Sequence, residues 1–278
     1  MARNKWQEKL ITALFWSAGI SIAAILAGII GYVVVEGISS ISLDFIFQVP
    51  SRAGRSGGIS TTIVSTIYLT VISLLIAVPI GVGSSIYLQE YANTTSRFAR
   101  LVNLTAETLA GIPSILFGLF GFVFFVIFLD LGWSILSGSL TLSIMILPTI
   151  TRTAQEAILN VASEYRENSL ALGASRWQTI NKIILPSALP GIVTGIILSI
   201  GRAVGETAAI ILTAGSSLGM PTVPTDPART MSVHLYILAM EGISTERAFG
   251  TALLLIVLIV VINYLANLSL KKMTNAWW

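Results

Sequence analysis

The chain has 278 residues, of which 54% are hydrophobic and 10% charged, with a mean hydropathy of +0.85. Soluble domains carry about a quarter charged residues, so this chain lacks the polar surface that water requires. With no cysteine, one histidine (His234) and a net charge of +3 carried at segment ends, it excludes disulfides, thiolate or multi-histidine metal sites, a cysteine nucleophile and a nucleic-acid footprint.

The N-terminus carries Arg3, Lys5 and Lys9 before an apolar run, Leu14–Val35. That run is longer than a cleaved signal core and long enough to span a bilayer, which predicts an uncleaved signal anchor. Five further apolar segments follow at Ile63–Tyr87, Leu104–Leu129, Ser137–Ile158, Pro190–Ala214 and Ala248–Leu268, giving an all-α integral membrane protein with six transmembrane helices. Residues 36–62 are rich in Gly and Ser, as loops are. Residues 159–189 are polar, and residues 215–247 contain Pro221, Pro224 and Pro227. No internal repeat is visible. The simplest division is an N-terminal helix and outer loop (1–62) followed by one membrane core (63–278), with a polar loop at 159–189.

Basic residues favour the cytoplasmic side of a membrane. With the N-terminus inside, the cytoplasm holds Arg3, Lys5, Lys9, Arg97, Arg100, Arg152, Arg166, Arg176, Lys182, Lys271 and Lys272, and the outside holds Arg52, Arg55, Arg229 and Arg247. Eleven against four predicts both termini inside. Arg52 and Arg55 read either as charges of a solvated outer loop or as attracting an anion or a binding protein.

Pro79, Pro113 and Pro148 fall within predicted spans, where proline removes a backbone donor and bends the helix. Gly111-Ile112-Pro113-Ser114, with Gly118 and Gly121 beyond it, reads either as a packing kink or as a half-helix whose amides face an anion. Gly191/Gly195 and Gly201/Gly205 have the small-xxx-small spacing of helix contacts.

Arg202 lies near the middle of the fifth predicted span, where a charge costs about 2.5–3.5 kcal/mol on insertion scales. Glu206 follows four residues on. On one continuous helix, Gly195, Ser199, Arg202, Glu206, Ala209 and Thr213 would form a single small or polar face. Either Arg202 and Glu206 neutralise each other and glue helices together, or they line a path on which Arg202 offers its donor fork to an anion. Thr207, Ser114 and Thr149 are further candidates for that path. Arg152 and Glu156, also four apart, read as an inner gate or an interfacial pair, and Glu107 as interfacial.

Residues 164–192 read EYRENSLALGASRWQTINKIILPSALPGI. A helix to Leu172, a turn at Gly173 and a second helix from Ser175 to Leu185 before Pro186 would make a rigid knob. Leu170, Leu172, Trp177, Ile180, Ile183 and Ile184 supply apolar anchors for a partner's groove.

This segment resembles the coupling loop of ABC importer permeases: Glu, two small residues, three residues, Gly, nine residues, Ile, any residue, Leu-Pro. Glu167, Asn168, Ser169, Gly173, Ile183, Leu185 and Pro186 hold those places, with Asn168 and Ser169 standing where alanines are usual. Three further stretches resemble phosphate-specific members of that family. They are Ala110–Ser114 with Phe117-Gly118-Leu119, then Leu147–Thr153 with Glu156, then Gly201–Thr207. Within that subfamily, Met231-Ser232-Val233-His234-Leu235-Tyr236 and the short N-terminal part look more like the PstA-type subunit than its PstC-type partner.

The resemblance implies a type I, MetI-like permease fold with cytoplasmic coupling helices in a bacterial inner membrane. It implies a phosphate path through the chain and a coupling loop docked on an ATPase, with Glu167 and Gly173 critical to its shape. It also implies partners: a PstC-type permease, two ATPase subunits and a periplasmic phosphate-binding protein. The chain has no Gly-x4-Gly-Lys-Ser/Thr loop, so ATP and Mg belong on the partner ATPase and no cofactor is expected here. Three rival readings are a permease for sulfate or molybdate, a stand-alone channel, and an intramembrane serine hydrolase built on Gly215-Ser216-Ser217-Leu218-Gly219 with His234.

Overall fold

The computed structural model describes residues 5–92 and 96–277, without the side chains of residues 5, 7 and 269–277. Arg3 and the side chains of Lys5, Lys271 and Lys272, counted above for orientation, lie outside the described residues. In chain order the elements are α1 (Lys5–Ile38), α2 (Leu43–Phe47), the hairpin β1 (Pro50–Ser51) and β2 (Ser56–Gly57), α3 (Ser60–Ile86), α4 (Arg97–Ala110), α5 (Ser114–Gly121), α6 (Ile135–Leu159), α7 (Ser163–Ala171), α8 (Arg176–Thr179), α9 (Leu185–Gly205), α10 (Ala208–Thr213), α11 (Met231–Met240) and α12 (Thr245–Trp277). Wider π-helical turns extend α3 through Tyr91, extend α5 through Phe128, and join α8 to α9 over Ile180–Ile184.

Five stretches are long and apolar enough to cross a bilayer: Glu8–Ile38, Ser60–Tyr91, Ile135–Leu159, Arg176–Gly205 and Thr245–Leu268. The sixth expected span, Leu104–Leu129, is not one helix. It is α4 and α5, bent by 106° at Gly111–Pro113. Pro113 takes φ −58° and ψ 138°, an extended conformation that ends one helix and starts the next, and it has no N–H to carry the ladder through. The kink reading of this motif is therefore replaced by a full break. Pro79 and Pro148 do not interrupt α3 and α6. Pro186, expected to close the second loop helix, instead sits in the first turn of α9. The π-helical turn before it relaxes the ladder where the proline donor is missing.

The core is built around α6, which packs against α3, α9, α5 and α10. Leu69, Leu142, Met145, Ile146 and Ile150 are buried between them. Lipid tails are as apolar as these side chains, so close approach and hydrogen bonds must hold the helices. Serines do this on α3 and α6. Ser73 Oγ donates to Leu69 O (2.8 Å) and Ser139 O (3.2 Å), Ser143 Oγ to Ser139 O (2.6 Å) and Ser73 O (3.1 Å), and Ser85 Oγ to Thr151 O (2.7 Å). On α9, Gly191 and Gly195 abut Ala157 and Thr153 of α6 so closely that neither site admits a Cβ, as their spacing predicts. Gly201 and Gly205 have open space instead. α1 rests on α12, with Gly37 against the Phe249 carbonyl, and exposes the rest of its apolar surface.

Candidate translocation path and coupling loop

Two broken helices run side by side. A Cβ on Gly118 of α5 would meet Ala209 Cα of α10 at 2.7 Å, and one on Gly121 would meet Thr213 of α10 at 2.8 Å and also Thr141 of α6. Position rises along both helices together, so α5 and α10 are parallel and both begin on the same side of these contacts. Depth follows at about 1.5 Å per residue. Counting inward from the Gly121–Thr141 contact, Ser114 and Thr149 fall at about the same level, near 10–12 Å. Counting outward from the Gly195–Thr153 contact, Arg202 falls within about 5 Å of that level. The starts of α5 and α10, with Ser114, Thr149, Arg202, Glu206 and Thr207, therefore share one layer. All five are partly exposed rather than sealed in the core.

The expected continuous polar face does not exist. α9 ends at Gly205, and Glu206 is extended, at φ −70° and ψ 129°. Its carboxylate turns forward and accepts from Ala209 N at 3.2 Å, satisfying one of the free amides at the start of α10. Its carbonyl accepts from Ser232 Oγ at 2.6 Å, which fastens α11 to the break. Glu206 thus makes no ion pair with Arg202 in this structure. Arg202 has no hydrogen-bond or ion-pair partner among the described residues. Gly195, Ser199, Ala209 and Thr213 of the expected face are packed into the core.

Nor do Arg152 and Glu156 pair. Arg152 Nη2 lies 3.5 Å from Glu107 Oε1, because the break at Pro113 folds α4 back against α6. Gln155 Nε2 donates to Asn103 Oδ1 at 2.9 Å beside it. These residues with Gln89 and Glu156 line a polar cleft of about 230 Å³ at the inner end of α6. The Arg152–Glu107 pair is about half exposed on each side, where such a contact contributes little stability.

The coupling loop is a helix–turn–helix knob. α7 ends at Ala171, and Gly173 turns the chain at φ +84° with open space around it. A capping box then starts α8, in which Ser175 Oγ accepts from Gln178 N and Gln178 Oε1 accepts from Ser175 N. Ser169 Oγ and Thr179 Oγ1, 2.8 Å apart and buried, tie the two helices. The anchors divide. Ile180 and Ile184 are buried with Ile158 and Val161, whereas Leu170, Trp177 and Leu172 (89% exposed) face outward. Glu167 is exposed, and Ile183, Leu185 and Pro186 are half-buried at the knob's base.

Sequence reasoning missed what fixes the knob to the membrane core. Arg166 Nε and Nη2 reach Glu90 Oε1 at 3.0 and 2.9 Å, and its other donors bond Val161 O and Ile158 O at 2.7 and 2.8 Å. The signal was an arginine inside the loop motif, read only as a cytoplasmic charge. The serine hydrolase reading fails. Residues 215–219 form no strand or helix, Ser216 O is bonded to Arg229, and Ser217 Oγ accepts from Gly219 N at 3.3 Å.

A knob at one end of a broken-helix core defines a class, and the sequence matches it. Residues 77–275 match the family described as binding-protein-dependent transport system inner membrane component, and the chain belongs to that family. It is 34% identical to the probable ABC transporter permease protein YqgI of Bacillus subtilis, over 98% of this chain and 99% of that one. It is 35% identical to the phosphate transport system permease protein PstA 1 of Mycobacterium tuberculosis, over 76% and 70%. In fold it resembles a chain of the bacterial alginate ABC transporter, solved with an alginate-bound periplasmic protein, at a TM-score of 0.72, 18% identity and 96% coverage of each chain. The chain is thus a multi-pass inner-membrane permease subunit of an ABC importer with a MetI-like fold, and not an enzyme. Such permeases work with an ATPase and a substrate-binding protein.

Proposed function

We propose that this chain is the PstA-type subunit of a phosphate importer and forms half of the path by which inorganic phosphate enters the cell. The observation that carries this reading is Arg202: a guanidinium without a partner among the described residues, near the end of the Arg176–Gly205 span, one turn before a helix break and level with the start of a second broken helix. Guanidinium binds tetrahedral oxyanions bidentately, and the relatives named for phosphate transport support that anion. Ser114, Thr149 and Thr207 would supply hydroxyls at the same depth, with Glu206 holding the break. Arg152 and Glu156 would stand at the inner exit, Arg152 now with Glu107.

In this reading both termini are cytoplasmic, as the charge count predicts. Glu167, Gly173, Ile183, Leu185 and Pro186 shape the knob that meets one of two ATPase subunits, which hold ATP and Mg. A PstC-type permease completes the path, and a periplasmic phosphate-binding protein delivers the anion. Reconstitution of the purified complex with labelled phosphate, sulfate and molybdate tests this. ATP-dependent uptake of phosphate in preference to the others is expected. Preference for sulfate or molybdate would overturn the substrate, and uptake without ATP would overturn the importer mechanism.

A further inference from the structure

The other half-buried arginines are satisfied by the protein. Arg166 has Glu90 and two carbonyls, and Arg247 donates to Gly57 O and lies 5.0 Å from the Phe45 ring centroid. Arg229, just before α11, is more deeply buried at 8% exposure. Yet among the described residues only its Nε finds a partner, Ser216 O at 2.8 Å, and its buried Nη1 has none. The nearest acid in sequence is committed elsewhere. Asp226 Oδ2 accepts from Thr222 N (2.7 Å), Thr222 Oγ1 (2.9 Å) and Val223 N (3.0 Å), bonds that hold its carboxyl below the usual range. Glu241 lies near enough to favour the charged guanidinium but forms no ion pair with it among the described residues.

His234, one turn into α11 and 1% exposed, also has an unpartnered buried atom, Nδ1. Burial, and then the adjacent Arg229, push its pKa down to about 4, so the ring is neutral and offers an N–H without a charge. Buried polar groups are nearly always bonded, so an arginine denied a carboxylate, with the orphan nitrogen of His234 beside it, suits an incoming anion. A strained turn lies against His234. Arg52, Ala53 and Gly54 have φ of 48°, 60° and 98° in succession, and a Cβ on Gly54 would sit 2.6 Å from His234 Cε1. Such strain clusters at ligand clamps and switch segments.

We propose that Arg229, with His234, is an oxyanion-receiving site on the outer face, sealed here by the 52–54 turn and opened when that turn lifts. It rests on the orientation and importer role proposed above, and inorganic phosphate is the anion to probe.

His234 is the chain's single histidine, so its modification by diethyl pyrocarbonate in the assembled complex reports on the turn. Gly54→Ala should raise the modification rate, and phosphate should then protect. An unreactive His234 in Gly54→Ala, or a reactive one protected by none of phosphate, sulfate and molybdate, overturns the site. Protection by sulfate or molybdate alone keeps the site and overturns the phosphate reading. Arg229→Gln retains a donor for Ser216 O and should assemble normally while ATP-driven uptake falls on the order of tenfold, with Arg229→Lys recovering part. Unchanged uptake by assembled Arg229→Gln would also overturn the proposal.

Discussion

Glu90 and Arg166 meet at 2.9 and 3.0 Å between the end of α3 and the start of the coupling loop, with 12% and 25% of their side chains exposed. Because Arg166 also holds the carbonyls of Ile158 and Val161, one guanidinium joins α3, the end of α6 and α7. If the knob is where the ATPase docks, as proposed, a push on it would be delivered to two membrane helices at once. Glu90→Gln leaves a half-buried cation short of its counter-charge, and a hydrogen bond to a charged group is worth about 1.5–3 kcal/mol. The complex should still assemble, but ATP hydrolysis should proceed with several-fold less transport per ATP. An unchanged ratio of uptake to hydrolysis would show that the clamp carries no coupling.

Gly173 turns at φ +84°, a conformation that β-branched residues avoid. Nothing lies within 4 Å of where its Cβ would be, so the cost of Gly173→Val is in the backbone and not in packing. The variant should insert normally but misplace α8 relative to α7, and lose ATPase binding or stimulation. Wild-type ATP-driven uptake by Gly173→Val would remove the knob from the coupling mechanism.

Orientation is tested by reporters. A fusion after Ser175 should report the cytoplasm and an insertion near Thr225 the outside. Reversal at either place would break the assignment of sides on which the proposed path, and the outer site at Arg229, both depend.

Much of this was legible in the sequence because membrane helices announce themselves. A run of apolar residues must bond its own backbone in lipid, so five spans, the knob and its turn at Gly173 could be read directly. A helix contact at Gly191/Gly195 could be read too, though not its partner, and the same spacing at Gly201/Gly205 meets open space. What could not be read was continuity. Hydropathy does not distinguish Pro79 and Pro148, which sit inside intact helices, from Pro113, which ends one. The difference lies in Gly111 ahead of the proline and in α4 finding an amphipathic seat against α6. The same limit misled at Glu206. Spacing by four put it over Arg202, but Ser232 and the Ala209 amide draw the chain out of the helix. Arg152 met Glu107 rather than Glu156 for a related reason, since a partner 45 residues away is invisible to a local helix rule.

The central claim is that Arg202 meets the transported anion, and the most direct test is phosphate uptake into proteoliposomes by Arg202→Gln, Glu206→Gln and the double variant, each checked for complex assembly. A charge-assisted contact worth about 1.5–3 kcal/mol, lost from the transport barrier, slows uptake on the order of 10- to 100-fold. Because the two side chains are not paired, Glu206→Gln should act separately, through the start of α10, and should not rescue Arg202→Gln. The account predicts an assembled Arg202→Gln complex that hydrolyses ATP but transports little phosphate, with or without the second substitution. Near-normal uptake by assembled Arg202→Gln would contradict it.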